Sequence, residues 1–358
     1  MCRRSFKEVI HTTNTAFQEF WFCELTSSVS RLSLWNVKKL AVIDCGTNTF
    51  NLLVVEATRD TWNPLFSNKV AVKLGEGGFE DKLIRPHRFA RGLDALMVHH
   101  VAIQNIQCDE VFAFATSALR EASNGSEFVS KAKQLFGLNI ELISGDREAE
   151  LIWEGVRRSM DLGSEPSLIM DIGGGSTEFI IANAEKIFWK KSYLLGVSRL
   201  HDLVRPSERI EQHQLHELEN LLRSELDDLQ QALNQFPVKR LIGSSGSFDT
   251  LRAMHYRDAL AEQLSSLHAD IPLKGFHQIH HWLLGSSLVD RLKHTAIPSI
   301  RAEFMPMASH LVFFVLQMHP FSKLVHSAYS LKEGAIHSVL ERLDWPEEEP
   351  AATVDDEV

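Results

Sequence analysis

Cysteine is scarce in this 358-residue chain: Cys2, Cys23, Cys45 and Cys108 form no C-x-x-C pair and lack the dense spacing of a disulfide scaffold. A reducing, cytoplasmic compartment is the expectation. Long apolar runs are missing as well. The longest, Leu311 to Leu316, is far below the roughly 20 residues that span a bilayer, and Glu8, His11, Gln18 and Glu19 interrupt every candidate signal-peptide core. Neither a membrane nor nucleic acid is expected as a partner, since no Lys/Arg-rich run or basic aromatic platform occurs. The seventeen histidines include no H-E-x-x-H and join no cysteine pair, so they read as helix-surface or satisfied core residues. Absent G-x-S-x-G and G-x-x-x-x-G-K-[ST] motifs remove the commonest serine-hydrolase and P-loop readings.

What is present is a composition 44% apolar and 23% charged, that of a globular protein long enough for two domains. The net charge of −10 is unevenly spread. Asp344, Glu347, Glu348, Glu349, Asp355, Asp356 and Glu357 crowd a stretch without Lys or Arg, leaving the body nearly balanced. Residues 344–358 therefore read as a disordered acidic tail. Residues 1–36 show no period and scatter Trp21, Phe22 and Trp35 among polar residues. They read as a non-native or disordered extension, with translation expected to begin at Val37.

The most informative stretch is Leu168-Ile-Met-Asp-Ile-Gly-Gly-Gly-Ser-Thr-Glu-Phe-Ile-Ile181. Its apolar runs are too short for helices, so it reads as a hairpin with Asp171 at the end of the first strand. Three glycines let backbone N–H groups line a concavity suited to phosphate oxygens, with the hydroxyls of Ser176 and Thr177 beside them. A carboxylate next to a phosphate is repulsive unless a cation intervenes, which points to magnesium. Shifting residues 41–55 by 127 positions lays Asp44 on Asp171, Gly46 on Gly173 and Thr49 on Ser176. The repeat predicts two related lobes, each opening with the same hairpin.

Between the hairpins, residues 87–107 read as a helix, and Val111 to Ala115 as a short buried strand, with Arg120 and Glu121 just past its carboxyl end. That pair sits where open α/β sheets bind ligands, and reads either as catalytic or as a surface ion pair. Asp146 and Glu148 open the helix beginning at Gly145, where acids also serve simply as dipole complements. The loop Lys73 to Gly78 reads as a connection, and residues 207–236 as one long amphipathic helix. Val238 to Ser247 is a third strand whose small-residue turn opens a helix, a weaker phosphate contact.

Taken together, Ile43 to Leu53, Ala115 to Asn124, Ile143 to Ala149, Met170 to Glu178, Gly243-Ser-Ser-Gly246 and Leu331-Lys-Glu-Gly334 closely resemble the motifs of the Ppx/GppA family of exopolyphosphatases and guanosine pentaphosphate phosphohydrolases, in order, over about residues 38–343. The resemblance implies an α/β fold of two ribonuclease-H-like lobes, as in actin-like ATPases, with an interdomain active site. The first lobe would take residues 37–124 and 328–343, the second 125–327. It implies Glu121 as general base, with Glu148 and Arg120 completing the catalytic set and Asp44, Asp171 and Glu148 holding Mg2+. Phosphate would lie on Gly46, Thr47, Asn48, Thr49, Gly173, Gly174, Gly175, Ser176, Thr177, Gly243, Ser244, Ser245 and Gly246. Lys73 and Glu303 depart from the usual arginine and aspartate. The expected partner is polyphosphate or a phosphorylated guanosine nucleotide, with a homodimer admitted. The rival readings on this scaffold are an ATP-dependent small-molecule kinase and a non-catalytic phosphate or alarmone sensor.

Overall fold

The computed structural model describes residues 37–257 and 266–345, so the expectations for residues 1–36 and for nearly all of the acidic tail lie outside the described residues. One sheet is built from β1 (Lys38–Cys45), β2 (Thr49–Ala57), β3 (Trp62–Ala71), β4 (Glu110–Ala115) and β5 (Ile140–Leu142), ordered β3-β2-β1-β4-β5. The other holds β6 (Ser167–Ile172), β7 (Thr177–Ala182), β8 (Ile187–Tyr193), β9 (Arg240–Ser244), β10 (His268–Asp270) and β11 (Lys323–Ser327), ordered β10-β11-β9-β6-β7-β8. Reading β8-β7-β6-β9-β11 against β3-β2-β1-β4-β5 gives the same pattern of three antiparallel strands followed by parallel ones. The two related lobes that the 127-residue repeat predicts, ribonuclease-H-like as the family resemblance implies, are both present.

The helices are α1 (Pro86–Ile106), α2 (Ser117–Glu121), α3 (Gly125–Phe136), α4 (Gly145–Ser159), α5 (Val197–Val204), α6 (Gln212–Glu225), α7 (Asp227–Gln235), α8 (Ser245–His255), α9 (Leu273–Gly285), α10 (Leu288–Lys293), α11 (Met305–Met318) and α12 (Leu331–Leu340). Among the described residues none is long and apolar enough to cross a membrane. The stretch 207–236 is two helices, α6 and α7, rather than one. The backbone leaves helical geometry at buried Leu226, and Asp227 and Asp228 start a new first turn. The lobe boundary expected at 124/125 also moves. β5 pairs with β4 and α3 packs on α1, so the first lobe's chain continues to residue 142. With only Ile140 buried, β5 is too short to announce its sheet.

Strand alternation sorts the core into layers. Ala41, Ile43, Leu52 and Val54 face α1 and α3, burying Leu96 and Phe128. Leu40, Val42, Leu53 and Val55 face the opposite way, into a core shared with Ile169, Ile180 and Ile242 of the second sheet. The far face of that sheet, with Met170, Phe179 and Ile181, packs under Leu218, Phe248, Phe276 and Leu311. Both sheets are therefore covered on both sides, which is why their central strands read as continuous apolar runs.

The shared middle layer consists of α4 and α12. Helix α4 follows β5 of the first sheet but packs on β7 and β8, whereas α12 follows β11 of the second sheet but packs on β1 and β2. Each lobe thus lends a helix to the other. The two helices touch backbone to backbone, because a Cβ on Gly155 would land on the Ser330 carbonyl and one on Gly334 on the Leu151 carbonyl. Alanine at either glycine is expected to lower unfolding stability by about 1–3 kcal/mol through overpacking. Urea unfolding of the two variants measures this, and wild-type midpoints would contradict it.

Candidate active site

The β1–β2 and β6–β7 turns have one geometry. The Gly46 amide donates to the Thr49 carbonyl at 3.1 Å and the Gly173 amide to the Ser176 carbonyl at 3.0 Å. A Cβ on either glycine would sit 3.0 Å from that same carbonyl oxygen, so both tight turns favour glycine. The next two glycines answer a different constraint. A Cβ on Gly174 would press on the Asn48 side chain at 2.8 Å, and one on Gly175 on Ser117 Oγ at 2.6 Å and Thr47 Oγ1 at 2.7 Å. The turns of the two lobes therefore meet, and Ser198 Oγ donates to Asn48 Oδ1 at 2.7 Å across the junction.

Behind this junction lies a cavity of about 130 Å³. It is smaller than the several hundred Å³ usual for small-molecule sites and matches a phosphate-scale group. Its walls include the first turns of α8 (Ser245, Gly246) and α12 (Leu331), whose N-terminal dipoles favour anions. Lys69 and Arg301 add positive charge to the wall. Arg301 is anchored by Thr250 Oγ1 at 3.0 Å and by Asp249 at 3.6 Å.

Three carboxylates, Asp44, Asp171 and Glu148, share this wall. Asp44 and Asp171 occupy matching strand ends, but their cross-strand neighbours differ. Opposite Asp44 is Asn51, whose amide donates to it at 2.8 Å; opposite Asp171 is the buried carboxyl of Glu178. Burial, then the charge of Glu178, pushes Asp171 up to about 7, despite the Ser244 hydroxyl donating at 2.6 Å. Burial raises Asp44 too, opposed first by Asn51. Glu148 is raised well above the ordinary carboxylate range by burial and Glu178, against the pull of Arg120. Burial also raises Glu178, although Ser192 Oγ donates to it at 2.7 Å.

Of the residues expected at the site, Asp44, Gly46, Thr47, Asn48, Thr49, Glu148, Asp171, Gly173, Gly174, Gly175, Ser176, Ser245 and Gly246 do line the cavity. Thr177, Gly243 and Ser244 do not. Thr177 turns its hydroxyl to the Leu195 carbonyl at 2.9 Å, Gly243 packs on Phe248, and Ser244 is spent on Asp171. Arg120 stands one step back, donating to Glu148 and to the Ile143 carbonyl, each at 3.0 Å, and to Glu121 at 3.3 Å. Glu121 lies off the wall and lines a small adjoining cavity with Phe79 and Arg199.

The loop from Lys73 is no plain connection. Lys73 and Leu74 amides donate to Asn48 and Thr47 carbonyls, Lys73 pairs with Glu303 of the second lobe at 3.1 Å, and the Gly77 amide donates to Asp202 at 3.2 Å. The two departures from the expected motifs, Lys73 and Glu303, are thus each other's partners. Sequence reasoning missed Glu178, Asn51 and Lys69 as site residues. The 127-residue shift already sets Glu178 against Asn51, so the same repeat could have found both.

A family model described as the Ppx/GppA phosphatase family matches residues 53–343. An exopolyphosphatase structure from Cytophaga hutchinsonii is 34% identical, with a TM-score of 0.83 over 86% of this chain and 99% of that one. A Ppx/GppA family member from Aquifex aeolicus shares the fold at 20% identity, with a TM-score of 0.72 over 85% of this chain and 98% of its own. An exopolyphosphatase-like protein does so at 20% identity, with a TM-score of 0.76 over 85% and 98%. With two lobes of matching topology, a phosphate-scale cleft between them and this family match over most of its length, the chain belongs to the Ppx/GppA phosphatase family.

Proposed function

We propose that this protein hydrolyses terminal phosphoanhydride bonds of inorganic polyphosphate, releasing orthophosphate. The carrying observation is an open cavity of phosphate scale, walled by two glycine turns and helix N-termini, with the strongly perturbed Glu148 carboxyl on its surface. The likeness to the Cytophaga exopolyphosphatase supports the substrate class. Guanosine pentaphosphate presents the same terminal group to such a cleft and is the second substrate of this reading.

The general base is Glu148 in place of Glu121. Glu148 lines the cavity and Glu121 does not. Burial makes Glu148 a stronger base than an ordinary carboxylate, and Arg120 fixes its orientation. Glu148 accepts the proton of a water in line with the anhydride, and no covalent intermediate is required. Backbone N–H groups of the two turns, with Lys69 and Arg301, take up the charge developing on the phosphoryl oxygens.

The donor set fits magnesium. Among the described residues no three acidic, histidine or cysteine side chains gather as a complete ligand cage, but magnesium needs only one or two carboxylates besides phosphate oxygens and water. Asp44 and Asp171 would hold it; burial raises the pKa of both, a cost to their charged forms that a divalent cation would relieve. When bound, the ion supplies charge neutralisation at the transferring phosphoryl group.

Two measurements test this reading. Glu148→Gln is expected to lower kcat by about 10²–10⁴ while polyphosphate still binds, whereas Glu121→Gln costs less than about tenfold. The reverse order would return the base to Glu121. The second concerns pH. Asp171 moves from 3.8 in the unfolded chain to about 7 in the fold, so the folded state holds this proton more tightly. Its contribution to stability is fully present below the unfolded value and lost as pH rises through about 7. With metal chelated, stability should fall between about pH 4 and pH 7, and Asp171→Asn should raise it at pH 8 by roughly 2–4 kcal/mol while abolishing turnover. Thermal melts across pH measure both, and a variant no more stable than wild type at pH 8 would contradict the assignment.

A further inference from the structure

Arg199 is a charged group that the mechanism above does not use. It sits on α5 of the second lobe, yet its guanidinium lies 4.5 Å from the centroid of the Phe79 ring in the first lobe. Its Nε donates to the Gly175 carbonyl at 3.1 Å, and it lines one small cavity with Phe79 and Glu121. Burial lowers its pKa, opposed by the charge of Glu121 and then of Asp202. A desolvated guanidinium is held here against a ring of one lobe, with the charge of Glu121 nearby, while it grips a carbonyl of the other.

We infer that Arg199 is a positioning residue that sets the Gly173–Ser176 turn, with the Phe79 ring as its socket and Glu121 as a nearby negative charge. The inference rests on the reading that this turn holds substrate phosphate. A peptide presenting its N–H to an anion must point its carbonyl elsewhere, and the Arg199 hydrogen bond fixes that orientation at Gly175. Donation to the carbonyl also polarises the peptide joining Gly175 to Ser176, making the Ser176 N–H a stronger donor. Glu121, ion-paired to Arg120 at 3.3 Å, lines the same small cavity and sets its negative charge near the pin. Gly196, just ahead of α5, packs directly on the Gly174 and Gly175 backbone, so pin and turn move as one piece.

The test compares Arg199→Ala, Arg199→Lys, Phe79→Leu and Glu121→Gln, alone and combined, by steady-state hydrolysis of polyphosphate and by calorimetric binding of orthophosphate. Arg199→Ala is expected to raise both KM and the orthophosphate Kd about tenfold, with lysine recovering part of the loss. Glu121→Gln should weaken binding in the wild-type background and add little once Arg199 is gone. Full additivity of the two changes, or Arg199→Ala within twofold of wild type in both KM and Kd, would overturn the inference. If the wild-type protein released no orthophosphate, the hydrolase reading would fail by itself. The calorimetric comparison of wild type with Arg199→Ala would still decide for or against the pin.

Discussion

Two helix backbones in contact at Gly155 and Gly334 set the distance between the lobes, and the site exists only at that distance. Helix α4 carries Glu148 in its first turn, and the first turn of α12 brings Leu331 to the same cavity. Because each helix packs on the sheet of the other lobe, the shared core of Leu40, Val42, Ile169, Ile180, Ile152 and Ile336 is also the joint between the lobes. Larger side chains at the crossing would part the helices, and with them the two glycine turns that meet at Asn48 and Gly174.

The repeat supplies two copies of one glycine turn, but the site they form is asymmetric. The position facing the aspartate across each hairpin is Asn51 in one lobe and Glu178 in the other. An amide donor relieves the charge on Asp44, whereas a second buried carboxyl adds to the charge at Asp171 and Glu148. Three carboxylates on the cavity wall, with Glu178 buried beside Asp171, make the cleft electrostatically costly. Stability is given up at the place where binding and chemistry need unbalanced charge.

Much of this was legible in the sequence because backbone geometry imposes it. The 127-residue repeat, both hairpins, the glycines of the turns and the aspartates at the strand ends all follow from local constraints on chain direction and close approach. Membership of β5 in the first sheet did not, since a three-residue strand has no pattern to read. Which of Glu121 and Glu148 reaches the main cavity was not legible for a related reason: both follow strands and stand near arginines, and only the tertiary path puts Glu148 on the cavity wall and Glu121 in the smaller cavity with Phe79 and Arg199. The Lys73 loop misled too, because its partners Glu303 and Asp202 lie more than a hundred residues away.

A clamp that delivers a terminal phosphoanhydride to water needs neither an acceptor nor ATP. The direct measurement is orthophosphate released when the protein is mixed with polyphosphate and magnesium and nothing else. The account predicts steady release that disappears with Glu148→Gln. Binding of polyphosphate without release, or phosphate transfer that depends on an added acceptor, would contradict it.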